Sequence, residues 1–88
     1  MRSVDKIVSC EISFIPVQSR DYKNDVNQVL SIINAAGMNY DVSLFSTTIT
    51  GERDRIFELI KNIFTQMEDK TNFTMVVKYS NICGCPSV

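Results

Sequence analysis

From residue 7 the chain alternates: Val8, Cys10, Ile12 and Phe14 fall on one side of an extended segment, with Ser9, Glu11 and Ser13 on the other. A period of two marks a strand with one buried face. Pro16 has no N–H to give to a ladder and is expected to end that strand. From Asp21 the apolar positions Tyr22, Val26, Val29, Leu30, Ile33 and Ala36 recur at steps of three and four, which predicts an amphipathic helix. Gly37 follows as its left-handed stop. Alternation returns over residues 40–44, with Tyr40, Val42 and Leu44 on one side and Asp41 and Ser43 on the other. Phe45-Ser46 reads as a tight connection into a third strand at 47–50, where the branched side chains of Thr suit a pleated surface. Gly51 and Glu52 open a second helix striped by Ile56, Leu59, Ile60, Ile63, Phe64 and Met67. The polar run 69–72 breaks it, and a last strand is expected over 73–79.

This order, βαββαβ, predicts an α+β domain of ferredoxin-like type spanning residues 1–88. Each helix has one apolar stripe, so both should pack on the same face of a four-stranded antiparallel sheet, with the first and third strands central. The predicted core is Val8, Ile12, Phe14, Val26, Leu30, Ile33, Val42, Ile56, Leu59, Ile60, Ile63 and Val77. The other sheet face is left open. Strand parity assigns Glu11, Ser13, Asp41, Ser43, Ser46, Thr48, Val76 and Lys78 to it, with Ile15 and Phe45 adding apolar area. Such a mixture is too apolar for a fully solvated surface and too polar for a dry one, which points to a homodimer or tetramer.

Length and charge narrow the partners. At 88 residues and 44% apolar content the chain can build one core and not two. Nine basic against ten acidic side chains give a net charge of -1, which offers no footprint for nucleic acid or an anionic membrane. No apolar run approaches the roughly 20 residues of a membrane span, and residues 1–6 lack the apolar stretch of a signal peptide, so a cytoplasmic location is expected. Three cysteines, two of them a single residue apart, make a poor disulfide framework and agree with a reducing compartment.

Candidate chemistry lies in small polar groups. Ser13, Ser46, Thr47 and Thr48 would converge if the first and third strands pair, and hydroxyls both donate and accept hydrogen bonds. High β-propensity alone also accounts for them. Glu11 and Asp41 could accept from a ligand amine or attract a cation, or could be surface carboxylates, one of them paired with Lys78. Cys83-Gly84-Cys85-Pro86 has too narrow a spacing for zinc, and there is no His to complete a ligand set. With no nucleophile turn and no Gly-rich phosphate loop after a strand, the chain is expected to be no enzyme.

The order of three motifs resembles the YkoF-like thiamine/hydroxymethylpyrimidine-binding domains. These are the strand end Ser13-Phe14-Ile15-Pro16, the strand Ser46-Thr47-Thr48-Ile49-Thr50-Gly51, and the closing Gly84-Cys85-Pro86. A looser thiamine-binding family is similar in its Pro-ended first strand, its Gly-x-x-Tyr entry into strand two (Gly37 to Tyr40) and a Thr in strand three. The resemblance implies a non-catalytic binder of thiamine or its hydroxymethylpyrimidine moiety, working in vitamin salvage or transport. Thiamine would be a ligand and not a cofactor. Ser13, Ser46 and Thr47 fall on motif positions; Thr48 does not. Acid at the Glu11 position belongs to the looser family only, and Cys85 would line the pocket rim. Tyr40 and Phe45 would cover the ring faces. Two other functions fit the same pattern: a ferredoxin-like regulatory subunit sensing another small molecule, and a purely structural oligomerisation domain.

Overall fold

The computed structural model describes residues 6–82. Its elements are β1 (Ile7–Val17), α1 (Tyr22–Ala35), β2 (Asn39–Val42), β3 (Thr47–Glu52), α2 (Arg53–Met67) and β4 (Asn72–Ser80). They form one antiparallel sheet in the order β2-β3-β1-β4 with both helices packed on one face, the ferredoxin-like arrangement. No helix among the described residues is long and apolar enough to cross a membrane.

Local chemistry sets the boundaries. Asp21 Oδ1 accepts from the Asn24 N–H at 3.2 Å and caps α1. At the other end Gly37 turns the chain with φ +77°, a conformation that costs a β-carbon-bearing residue energy. At Gly51 the packing is close: a β-carbon there would come within 2.5 Å of Met38 Sδ and would force that flexible side chain to shift. Pro16 does not end β1, which runs one residue further opposite β4. The reason is that β3 pairs with β1 only as far as Ile12, so past that point β1 is an edge on that side and tolerates a residue without an N–H.

Cross-strand neighbours share a sheet face. Ile12 pairs with Thr47 and Val77, and Cys10 with Ile49 and Tyr79, all toward the helices. The buried cluster joins these strands to Val29 and Ile33 of α1, Met38, and Ile56, Leu59, Ile63 and Met67 of α2. Six of the twelve expected core residues, Val8, Ile12, Ile33, Ile56, Leu59 and Ile63, are buried, and Phe14, Leu30, Ile60 and Val77 pack partly buried against them. Val42 is not core: it is 56% exposed, because β2 is the short outer strand and the helix layer does not reach over its end.

Cys10 is 1% exposed, and burial pushes its thiol from the ordinary 9.0 to about 11. Tyr79, its neighbour across β1 and β4, is also raised, first by burial and then by the Cys10 charge. The folded state therefore holds these protons more tightly than the unfolded chain. Stability is fully present below pH 9 and is expected to decline as the pH rises toward 11, a loss that thermal melts across this range should record and that Cys10→Ala should reduce. At neutral pH the native thiol should resist alkylating reagents.

Candidate functional site

The hydroxyls do not converge on one face; the sheet divides them. On the open face the register lines up Asp41, Thr48, Glu11 and Lys78 across all four strands, with Ser13 one step along opposite Val76. Glu11 is already engaged, since Oε2 accepts from Ser46 Oγ at 3.0 Å and Oε1 lies 3.5 Å from Lys78 Nζ. Thr47 is on the other side. Pairing with the buried Ile12 turns it toward the helices, so Ser13 and Thr47 are on adjacent strands but on opposite faces. The parity that puts Ser46 and Thr48 on the open face already turns Thr47 away from it, so the expected convergence of Thr47 with Ser13 conflicts with the alternation of β3.

Thr47 opens onto a cavity of about 250 Å³ between α1 and the β2-β3 hairpin. Ile12 and Phe14 form its floor, Val26 and Leu30 its helical wall, and Ser43 to Thr47 its outer lip. Tyr22 is the only ionisable side chain on its lining. Thr47 itself is 8% exposed, and its hydroxyl makes no hydrogen bond to any described residue. Buried polar groups are almost always paired, and here the hydroxyl's free side faces the cavity, where water or a ligand can meet it.

The lip is formed by an unusual turn. Ser43 N–H donates to the Ser46 carbonyl at 2.8 Å, which closes a loop whose two tip residues, Leu44 and Phe45, are 88% and 84% exposed. Residues 40–44 therefore do not form a continuous strand, since β2 ends at Val42. Phe45 and Ser46 border the cavity, whereas Tyr40 lies outside it, its hydroxyl donating to Asn34 Oδ1 at 3.1 Å. Asp41 and Thr48 border a separate polar groove of about 280 Å³ with Asn39, Tyr40 and Thr50. Cys85 lies outside the described residues.

Two other hollows are larger and less suitable. One of about 520 Å³ runs between the helices beside Ile32, Ala36, Leu59 and Arg55, where the Arg55 guanidinium is occupied by the Ala36 carbonyl at 2.6 Å. The other, about 490 Å³, is a polar recess near Asp25, whose carboxylate accepts from Ser19 Oγ at 2.5 Å. Neither contains any of the strand hydroxyls, and in both the central polar group is already partnered.

Comparison with known proteins places these features in context. No curated protein sequence matches the chain. A solved structure from Thermotoga maritima, a protein provisionally assigned to thiamine biosynthesis or salvage, superposes with a TM-score of 0.80 at 21% identity, covering 93% of this chain and 90% of that one. A Streptococcus pneumoniae protein gives 0.78 at 22% identity, with 84% of each chain covered. A domain of unknown function from Bacillus cereus gives 0.77 at 19% identity over 94% and 83%. At these identities the likeness is one of fold. The model of the YKOF-related family, by contrast, matches the sequence itself over residues 7–88, and the chain belongs to that family.

Proposed function

We propose that the chain binds thiamine through its hydroxymethylpyrimidine moiety, held in the cleft between α1 and the β2-β3 hairpin, as cargo for salvage or transport and without catalysis. The observation that carries this reading is the buried, unpartnered Thr47 hydroxyl on the apolar wall of that cleft. A neutral aminopyrimidine offers ring-nitrogen acceptors to it and apolar faces to Phe14, Val26 and Phe45. Family membership and the provisional role of the Thermotoga maritima protein support the choice of ligand.

The cleft's size limits what enters. At about 250 Å³ it falls below the roughly 300–1,000 Å³ of sites that enclose drug-sized ligands, so it takes one ring and leaves the thiazolium outside. With no carboxylate, amine, imidazole or thiol on the lining, it has few means of moving protons at neutral pH, which favours binding over turnover. A buried free thiol at Cys10 fits a cytoplasmic setting. Exposed Ile15 and Val76 on the open face, both 47% accessible, fit assembly into a homodimer or tetramer.

Titration calorimetry with hydroxymethylpyrimidine, thiamine and thiamine diphosphate tests the reading. The first two should bind with similar affinity, since the portion they share is the portion enclosed. Thr47→Val, nearly isosteric, should leave the melting temperature unchanged or higher while weakening both by about 1–3 kcal/mol. Equal affinity in the variant would place the site elsewhere.

A further inference from the structure

The hollow between the two helices keeps its unsatisfied charge on one wall. Its floor is apolar, made by the buried Leu59 and Met38 and the half-buried Ile32. The small side chains of Ala35 and Ala36 border the space of about 520 Å³, a volume within the roughly 300–1,000 Å³ of sites that enclose small molecules. Along the rim, Gln66 Nε2 donates to Asn62 Oδ1 at 2.9 Å, so these two amides partner each other. Arg55 and Glu58 differ. They stand one turn apart on the same side of α2, and among the described residues neither is held in an ion pair. One guanidinium N–H is tied to the Ala36 carbonyl at 2.6 Å, which orients the group and leaves its remaining donors for a ligand. The negative end of the α1 dipole lies beside it, with no basic residue in the last turn of that helix.

We propose that this hollow is a second ligand site, one for an α-amino acid with a large apolar side chain. The oriented guanidinium of Arg55 suits a carboxylate, which it can grip through two parallel hydrogen bonds. Glu58 and the carbonyl end of α1 suit the ammonium that adjoins the carboxylate in an amino acid. The side chain then lies on Leu59, Ile32 and Met38, and its burial supplies most of the affinity, since exposed charge pairs alone contribute little. Both charges of the ligand are needed for the match. An apolar anion would be repelled by Glu58, and an apolar amine by Arg55. The hollow shares no lining residue with the cleft at Thr47, so the inference is independent of thiamine.

Titration calorimetry of the full chain with L-phenylalanine tests this, beside three probes that each lack one feature: phenethylamine has no carboxylate, hydrocinnamate no ammonium and glycine no side chain. Phenylalanine should bind saturably, and each of the other three at least about tenfold more weakly. Glu58→Gln should weaken phenylalanine by about tenfold while hydrocinnamate keeps its affinity or gains, because that probe has no ammonium to lose a partner. Arg55→Gln should weaken phenylalanine similarly and spare phenethylamine. Circular-dichroism melts check that each variant is folded; should Arg55→Gln loosen the end of α1 that it holds, Glu58→Gln carries the test. No saturable binding of phenylalanine overturns the proposal. So does hydrocinnamate binding as tightly as phenylalanine, or a Glu58→Gln protein indifferent to the change. Displacement of phenylalanine by hydroxymethylpyrimidine would put the amino acid in the other cleft and overturns it equally.

Discussion

Ile56→Ala is expected to leave the domain largely unfolded near its normal melting range. Ile56 is 0% exposed, at the centre of the cluster that joins α2 to Ile33 of α1 and Ile49 of β3. Removing its branched chain loses transfer free energy and leaves a void that three elements must close together, a combined cost of about 2–5 kcal/mol. Small domains hold only about 5–15 kcal/mol in total, and at this size each kcal/mol moves the midpoint by about 4–8 °C. Urea unfolding should report a much lower midpoint with the slope unchanged. Val42→Ala is the internal control: with its side chain 56% exposed, it should shift stability by less than about 0.5 kcal/mol.

Val26→Phe should do the opposite, sparing the fold and removing the binding. Val26 is half-buried on the α1 wall of the cleft, so extra ring volume can enter existing space instead of forcing the core apart. Filling the cavity leaves no room for a pyrimidine. Affinity for hydroxymethylpyrimidine should fall by at least about 100-fold, equivalent to about 2.7 kcal/mol, while the melting temperature holds or rises. Retained affinity in a folded Val26→Phe protein would exclude the cleft. Together with Thr47→Val it separates two terms, shape at Val26 and hydrogen bonding at Thr47.

The fold could be read from the chain because its signals were long. Eleven residues of β1 and fourteen or fifteen in each helix repeat their period often enough to fix which side is apolar. The site was legible only in part. Thr47 and Phe45 reach the cleft and Ser46 borders it with its hydroxyl turned to Glu11, while Ser13, Glu11, Thr48 and Asp41 lie on the open face, where strand parity puts them. Parity phased the hairpin correctly; what it could not show is that β2 ends at Val42 and the exposed Leu44-Phe45 tip leaves a hollow beside α1 for Thr47 to face. The alternation of β1 does place Cys10 on the buried face, whereas Ile49 and Met38 owe their burial to the strand and helix laid over them. Val26, read as core, turns out to be the wall of a hollow, and Leu30 both packs against the core and lines that hollow, a distinction that depends on how far the hairpin stands from α1.

The pairing of first strand with last also has a meaning in time. Val42 meets Thr47 across a turn of four residues, so the β2-β3 hairpin can close as soon as it is made. Ser9 meets Ser80 only after all the residues between them have been made. On the ribosome β1 must wait through both helices with one side unpaired, held by β3 alone up to Ile12 and by nothing in register beyond it. Synthesis at roughly 5–20 residues per second makes that wait one of seconds. Pro16, near the end of this waiting stretch, removes one donor from a strand that would otherwise offer every N–H to a neighbouring nascent chain.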